Sequence, residues 1–140
     1  MKLLAIDFGM KRMGFAIGNA IIHTAAPIDP ITRKDEHTDI QYINHLIDEY
    51  DISKIIIGYP LNMDGTRSAI TLEVEAFAEK LKKEITPGIE IDFVDERLSS
   101  FEAEEMLKSF QQDYKKRKKN LDSISAMVLL RSYMETGRKS

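Results

Sequence analysis

The chain has 140 residues, no cysteine and only three histidines. The absence of cysteine excludes disulfide bonds, thiolate zinc sites and cysteine nucleophiles. His23, His37 and His45 lack the spacing of a metal cluster, so we expect them to be surface or half-buried polar residues. No apolar run approaches the roughly 20 residues that span a bilayer. The first residues enter a strand-like pattern without a signal-peptide layout. We therefore expect a cytoplasmic protein with no membrane segment.

The composition is that of a folded domain, with 43% hydrophobic and 31% charged residues. A chain of this length can bury a proper core, and it predicts a single domain over residues 1–140. The net charge is −3, but residues 115–119 read KKRKK, and without these five cations it would be −8. A basic block on an acidic body indicates a local site for a polyanion, although such a run can also be a solvated loop.

Hydrophobic periodicity predicts strands that alternate with helices after an initial meander. The predicted strands are 2–7, 14–20, 21–27, 53–60 and 89–94. A polar loop with two prolines is predicted over 27–39. The predicted helices begin at Asp39, near Ile70, at a Ser99–Glu102 capping box and at Leu121, and the last one continues to about Glu135.

The resulting order is β-β-β-α-β-α-β-α, which predicts an α/β fold. Three antiparallel strands followed by β-α units give a five-stranded mixed sheet with helices on both faces. This is the order of the RNase H-like fold, which many nucleases and, in an elaborated form, actin-like ATPases adopt. The last predicted helix is apolar over a wide face, so we expect it to pack closely on the sheet.

Carboxylates follow the predicted strands at the edge where sites in open α/β sheets lie. Asp7 ends the first strand, Asp95 and Glu96 end the last one, and Asp122 opens the final helix. Each has an ordinary structural explanation, such as a helix cap for Asp122. Their joint occurrence predicts that Asp7, Glu96 and Asp122 converge. Strand alternation turns Asp95 and Glu96 in opposite directions, so only one of them is expected to be a ligand.

Converging carboxylates suit Mg²⁺ or Mn²⁺, which prefer oxygen ligands. A two-metal site of this kind would hydrolyse phosphodiesters. Cations and one polar side chain, Asn62, near the same edge would contact a nucleic acid, the cations through its phosphates. The candidates are Lys11, Arg12, Asn62, Arg67, Arg97, Lys115, Lys116, Arg117, Lys118 and Lys119.

Four segments resemble the YqgF/RuvX family, whose members carry the names pre-16S rRNA nuclease and Holliday junction resolvase. They are AIDFGMKRMGFAIG, IIIGYPLNMDG, VDERLSS and DSISAMVLL, in this order over nearly the whole chain. The resemblance implies an RNase H-like nuclease with acidic catalytic and metal-binding positions at Asp7, Glu96 and Asp122. It also implies that PLNMDG and DERLS border the site.

The sequence leaves several functions open. The preferred hypothesis is a metal-dependent nuclease that processes the 5′ end of pre-16S rRNA. A Holliday junction resolvase is the alternative, and it would require a homodimer with two active sites. A nucleotide-binding protein of the actin-like kind could instead wrap the DFGMKRMG turn around phosphates. A non-catalytic module that binds structured RNA is the fourth hypothesis.

Overall fold

The computed structural model describes residues 1–96 and 121–136. Its elements are β1 (Lys2–Phe8), β2 (Arg12–Asn19), β3 (Thr24–Thr32), α1 (Glu36–Tyr50), β4 (Lys54–Tyr59), α2 (Ala69–Glu84), β5 (Glu90–Asp95) and α3 (Leu121–Thr136). The predicted helix at 99–110, Arg97 and the basic block at 115–119 lie outside the described residues. None of the helices in the described ranges is long and apolar enough to cross a membrane.

The five strands form one mixed sheet in the order β3-β2-β1-β4-β5. The pairs β1–β2 and β2–β3 are antiparallel, whereas β1–β4 and β4–β5 are parallel. This arrangement confirms the predicted meander followed by β-α units. The carboxyl ends of β1, β4 and β5 consequently lie along one edge of the sheet, which we call the carboxyl edge.

The prediction of a polar loop over 27–39 was wrong, because β3 continues to Thr32 and contains both Pro27 and Pro30. Proline lacks a backbone N–H, but an edge strand such as β3 can accommodate it. The pairing of β2 with β3 also shifts register between Met13 and Phe15, where β3 has an extra residue. The two prolines therefore accompany an irregular edge strand.

The first helix begins at Glu36, three residues before the predicted start. Asp35 caps it, since the backbone N–H of Thr38 donates to Asp35 Oδ1 at 2.8 Å. Asp39, the predicted start, lies inside the first turn and is buried.

The central strands β1 and β4 are buried on both faces of the sheet. Residues 3–6 and 55–57 have no exposed surface, which explains their uninterrupted apolar sequence. One face packs large side chains against α1 and α2. The other face packs against α3 and includes Ala5 and Ala16. Helices therefore cover both faces, as predicted.

Small residues in the sheet allow α3 to approach closely. A Cβ atom at Gly18 would lie 2.6 Å from Leu130 Cδ2, and one at Gly58 would lie 2.9 Å from Leu129 Cδ1. One turn later, Tyr133 contacts Lys54 and Asp92 near the other ends of β4 and β5. These contacts show that α3 runs antiparallel to both strands, so its first turn points to the carboxyl edge.

Candidate functional site

Asp7 lies near the end of β1, on the face of the sheet that α3 covers. It pairs with Gly14 of β2 and has the same orientation along the strand as the buried residues Leu3 and Ala5. The parallel pairing of β1 with β4 ends at Ile6 and Ile57, so Gly58 is the neighbour of Asp7 in the next register position. The Asp7 side chain is partly buried there.

Glu96 follows β5 directly, and its carboxylate lies over Gly58. A Cβ atom built on Gly58 would be only 2.5 Å from Glu96 Oε1. Val94, two residues earlier, is buried on the same face. Asp7 and Glu96 therefore flank Gly58 on the side of α3, and the absent side chain at residue 58 leaves space for the glutamate.

The surroundings of Glu96 favour its protonated form. Partial burial raises the pKa of Glu96, and the neighbouring charge of Asp95 raises it further. A cation that bound between the carboxylates would oppose both effects. A carboxylate whose pKa is shifted by burial and by a neighbouring charge is a candidate for a functional site.

Asp122 lies in the first turn of α3, at the end of the helix that points to this edge. Its side chain lies outside the described residues, so its place in the site stays a prediction. Among the described residues, no group of three histidine, cysteine or acidic side chains could hold a metal ion. Asp7 and Glu96 would therefore need a third ligand from outside that set.

Arg33 holds the turn between β1 and β2, which carries the predicted phosphate contacts Lys11 and Arg12. Its guanidinium donates to Gly9 O at 3.2 Å, and its backbone N–H donates to Lys11 O at 2.8 Å. It also forms an ion pair with the buried Asp39 at 3.0 Å. Lys11 and Arg12 are both exposed on this turn.

Asn62 and Arg67 lie in the loop after β4, and both side chains bond within the protein. Asn62 Nδ2 donates to Thr66 Oγ1 at 2.9 Å. Arg67 Nη1 lies 3.2 Å from both carboxylate oxygens of Glu75. Glu75 also accepts a 2.7 Å hydrogen bond from Tyr59 Oη, and this raises the pKa of Tyr59. Arg67 would have to leave Glu75, or share it, to contact a phosphate.

Sequence reasoning missed the contributions of Gly58 and Arg33. Gly58 falls inside the predicted strand 53–60, and β4 does continue through it to Tyr59, but its close contact with Glu96 was not predicted. A glycine inside a strand pattern is itself a signal of close approach, so this contact could have been anticipated. Arg33 was assigned to a polar loop, and no local pattern indicates its long-range bond to Gly9.

The sequence profile of the RuvX family, described as Holliday junction resolvase, matches residues 1–136. The chain belongs to the RuvX family. A relative in Syntrophomonas wolfei is 36% identical over 137 residues, covering 98% of this chain and 96% of its own. A relative in Escherichia coli O157:H7 is 41% identical, covering 96% of each chain. Both carry the name "Putative pre-16S rRNA nuclease".

Solved structures confirm the predicted fold. The Holliday junction resolvase of fowlpox virus superposes with a TM-score of 0.60 at 14% identity, over 97% of this chain and 99% of its own. RuvC of T. thermophilus, solved with a Holliday junction, superposes with a TM-score of 0.62 at 9% identity, over 99% of this chain and 96% of its own. At such identities the likeness shows the RNase H-like fold alone.

Proposed function

We propose that this RuvX-family protein is a divalent-metal-dependent nuclease that processes the 5′ end of pre-16S rRNA. The observation that carries this function is the pair Asp7 and Glu96, which flank Gly58 at the carboxyl edge beneath α3. The names of the relatives support the RNA substrate. All 140 residues would act as one nuclease domain.

Asp7, Glu96 and Asp122 would hold Mg²⁺ or Mn²⁺. The donor set fits these ions because carboxylate oxygens are the ligands that hard cations prefer. Asp122 is seven residues before Leu129, which is about two helical turns, so we expect it on the same side of α3. When bound, the metal would activate water and stabilise the leaving oxygen.

The remaining steps depend on this chain's own residues. Gly58 leaves space for the Glu96 carboxylate, and Leu129 packs above the same position. Arg33 fixes the turn that presents Lys11 and Arg12 to the phosphates beside the cleaved bond. These two exposed cations would offset the charge of the approaching backbone.

Cleavage of a pre-16S rRNA 5′ fragment tests the proposal. Wild-type protein should cleave it with Mg²⁺ or Mn²⁺ and not with EDTA, whereas Asp7→Asn and Glu96→Gln should remain folded but inactive. Asp95→Asn is the matched control, because it removes a neighbouring carboxylate and should keep most of the activity. Equal rates for Asp7→Asn and wild type would reject the site.

The basic residues outside the described ranges are proposed to bind the same nucleic acid. Removing one cation that neutralises a phosphate should reduce the slope of log affinity against log salt by about 0.7–0.9. A variant with serine at Lys115, Lys116, Lys118 and Lys119 should therefore bind more weakly and with a flatter salt dependence. An unchanged slope would identify the block as a solvated loop.

Holliday junction resolution is the second candidate function. The family description favours it. A two-fold junction needs two active sites, so this activity would require a homodimer. Parallel assays on a four-way DNA junction and on the RNA fragment, with the mass of the active species measured, distinguish the two functions.

A further inference from the structure

The loop after β4 ends in a tip that displays one apolar side chain. Residues 62–65 form a β-turn in which the Gly65 N–H donates to Asn62 O at 2.9 Å, and Met63 occupies its first corner. Met63 is 86% exposed, the largest value among the exposed large apolar side chains of the described ranges.

The polar side chains of the same tip hold its backbone in one conformation. Asp64 Oδ1 accepts from the Thr66 N–H at 2.9 Å and from Thr66 Oγ1 at 2.6 Å. Asn62 Nδ2 donates to Thr66 Oγ1, and the Asn62 N–H donates to Thr66 O at 2.9 Å. Gly65 has φ of +90°, a conformation that glycine adopts without strain.

The base of the loop is also held by contacts within the protein. Leu61 and Arg67 form an antiparallel bridge, and Arg67 pairs with Glu75 of α2. The hydroxyl of Thr71, inside the capping box of α2, donates to Pro60 O. The loop therefore presents Met63 on a preorganised support, which lowers the entropy lost when a partner binds.

The tip belongs to the loop that follows β4, so it lies at the same carboxyl edge of the sheet as Asp7 and Glu96. Met63 is five residues after Gly58, so their Cα atoms are at most about 17 Å apart. This reach corresponds to about five base-pair steps. A nucleic acid that is bound at Asp7 and Glu96 and spans more than about five such steps is therefore long enough to reach Met63.

We propose that Met63 is a wedge that inserts between bases at a boundary between paired and unpaired RNA. Apolar side chains such as methionine act in this way in other nucleic-acid complexes. Insertion costs least where stacking is already interrupted. A contact with base faces does not distinguish sequences, so the wedge selects the substrate by its structure. The inference deepens the proposed nuclease function and rests on it.

Met63→Ser should lower cleavage of an RNA stem with a single-stranded 5′ extension by about tenfold. It should leave cleavage of the same extension without the stem unchanged, and Met63→Leu should restore activity on the stem. Ile21→Ser is the matched control, because Ile21 is 76% exposed in the turn between β2 and β3, at the opposite edge of the sheet. Equal loss on both RNAs, or no loss, would overturn the inference.

A binding measurement distinguishes failure of the wedge from failure of the proposed function. 2-Aminopurine placed at the stem boundary should brighten when wild-type or Asp7→Asn protein binds, and not when Met63→Ser binds. If wild-type protein brightens the probe but never cleaves, the proposed function fails and the wedge remains supported. Cleavage without any brightening overturns the wedge and leaves the nuclease assignment in place.

Discussion

Two carboxylates, Asp92 in β5 and Glu96 directly after it, lie beneath consecutive turns of α3 and have opposite pKa shifts. Asp92 accepts a 2.9 Å hydrogen bond from Tyr133 Oη and lies 2.9 Å from Lys54 Nζ. The hydrogen bond from Lys54 lowers the pKa of Asp92. Burial and the charge of Asp95 raise the pKa of Glu96, four residues later.

The difference separates a carboxylate whose charged form its surroundings favour from one whose charged form they disfavour. At Asp92 the protein supplies both a cation and a hydroxyl donor, and the hydrogen bond from Lys54 to Tyr133 raises the pKa of Lys54. At Glu96 the glycine at residue 58 leaves space for the carboxylate, and a second acid, Asp7, lies on the same face. A divalent cation would complete the second arrangement as Lys54 completes the first.

Asp39 offers a third carboxylate for this comparison, fully buried and paired with Arg33 at 3.0 Å. Arg33→Ala should convert it into a buried charge that only the Lys34 N–H, at 3.3 Å, still contacts. We expect a loss of about 3–5 kcal/mol in the free energy of unfolding, measured by urea denaturation. Arg33→Met combined with Asp39→Leu should recover much of it. A loss below about 1 kcal/mol would show that the pair contributes little.

Gly58→Ala should displace the Glu96 carboxylate without removing its charge. The three atoms nearest to the new Cβ belong to side chains, two to the carboxylate of Glu96 and one to Leu129, so the fold should persist while the carboxylate moves. Cleavage should fall by about 10–100-fold, similar to the loss of a supporting partner of a metal ligand.

Gly18→Ala is the matched control for Gly58→Ala. Its Cβ would lie 2.5 Å from the backbone oxygen of Thr24, which cannot move as readily as a side chain. This variant should lose more stability than Gly58→Ala but keep its activity per folded molecule. The opposite pattern would show that the space above Gly58 has no functional use.

The pH dependence of the free energy of unfolding tests the lowered pKa of Asp92. A lowered pKa in the folded state stabilises the protein above the ordinary aspartate pKa, and this contribution is lost as the pH falls through the folded value. Asp92→Asn should remove less than about 1 kcal/mol at neutral pH, because Asp92 is 44% exposed. Its stability should then fall less steeply than that of wild type below about pH 4. If the free energies of unfolding of wild type and Asp92→Asn fall in parallel at acid pH, this account is contradicted.

The order of strands and helices within residues 1–96 and 121–136 was predictable because local apolar patterns determine each element. The run at residues 3–6 and the triplet at 55–57 indicate strands buried on both faces. The third strand was predicted too short, since Pro27 and Pro30 indicate a loop unless the strand is known to lie at an edge. Edge position depends on the tertiary fold, which local sequence does not contain.

The sequence selected candidate site residues, which stay predictions, but it did not indicate the geometry of the described ones. Strand alternation indicated that Asp95 and Glu96 point apart, and the structure turns Glu96 toward Gly58. Nothing local indicated that Arg67 pairs with Glu75 or that Arg33 bonds to Gly9, because these partners are 8 and 24 residues apart. Such contacts follow from packing.

A calorimetric titration with Mn²⁺ most directly tests whether Glu96 binds the metal and Asp92 does not. Wild type and Asp92→Asn should bind the ion with the same affinity, because Asp92 already has its cation in Lys54. Glu96→Gln should bind more than about 100-fold more weakly, since even supporting partners of a metal ligand contribute 10–100-fold. Unchanged binding by Glu96→Gln, or abolished binding by a folded Asp92→Asn, would contradict the account.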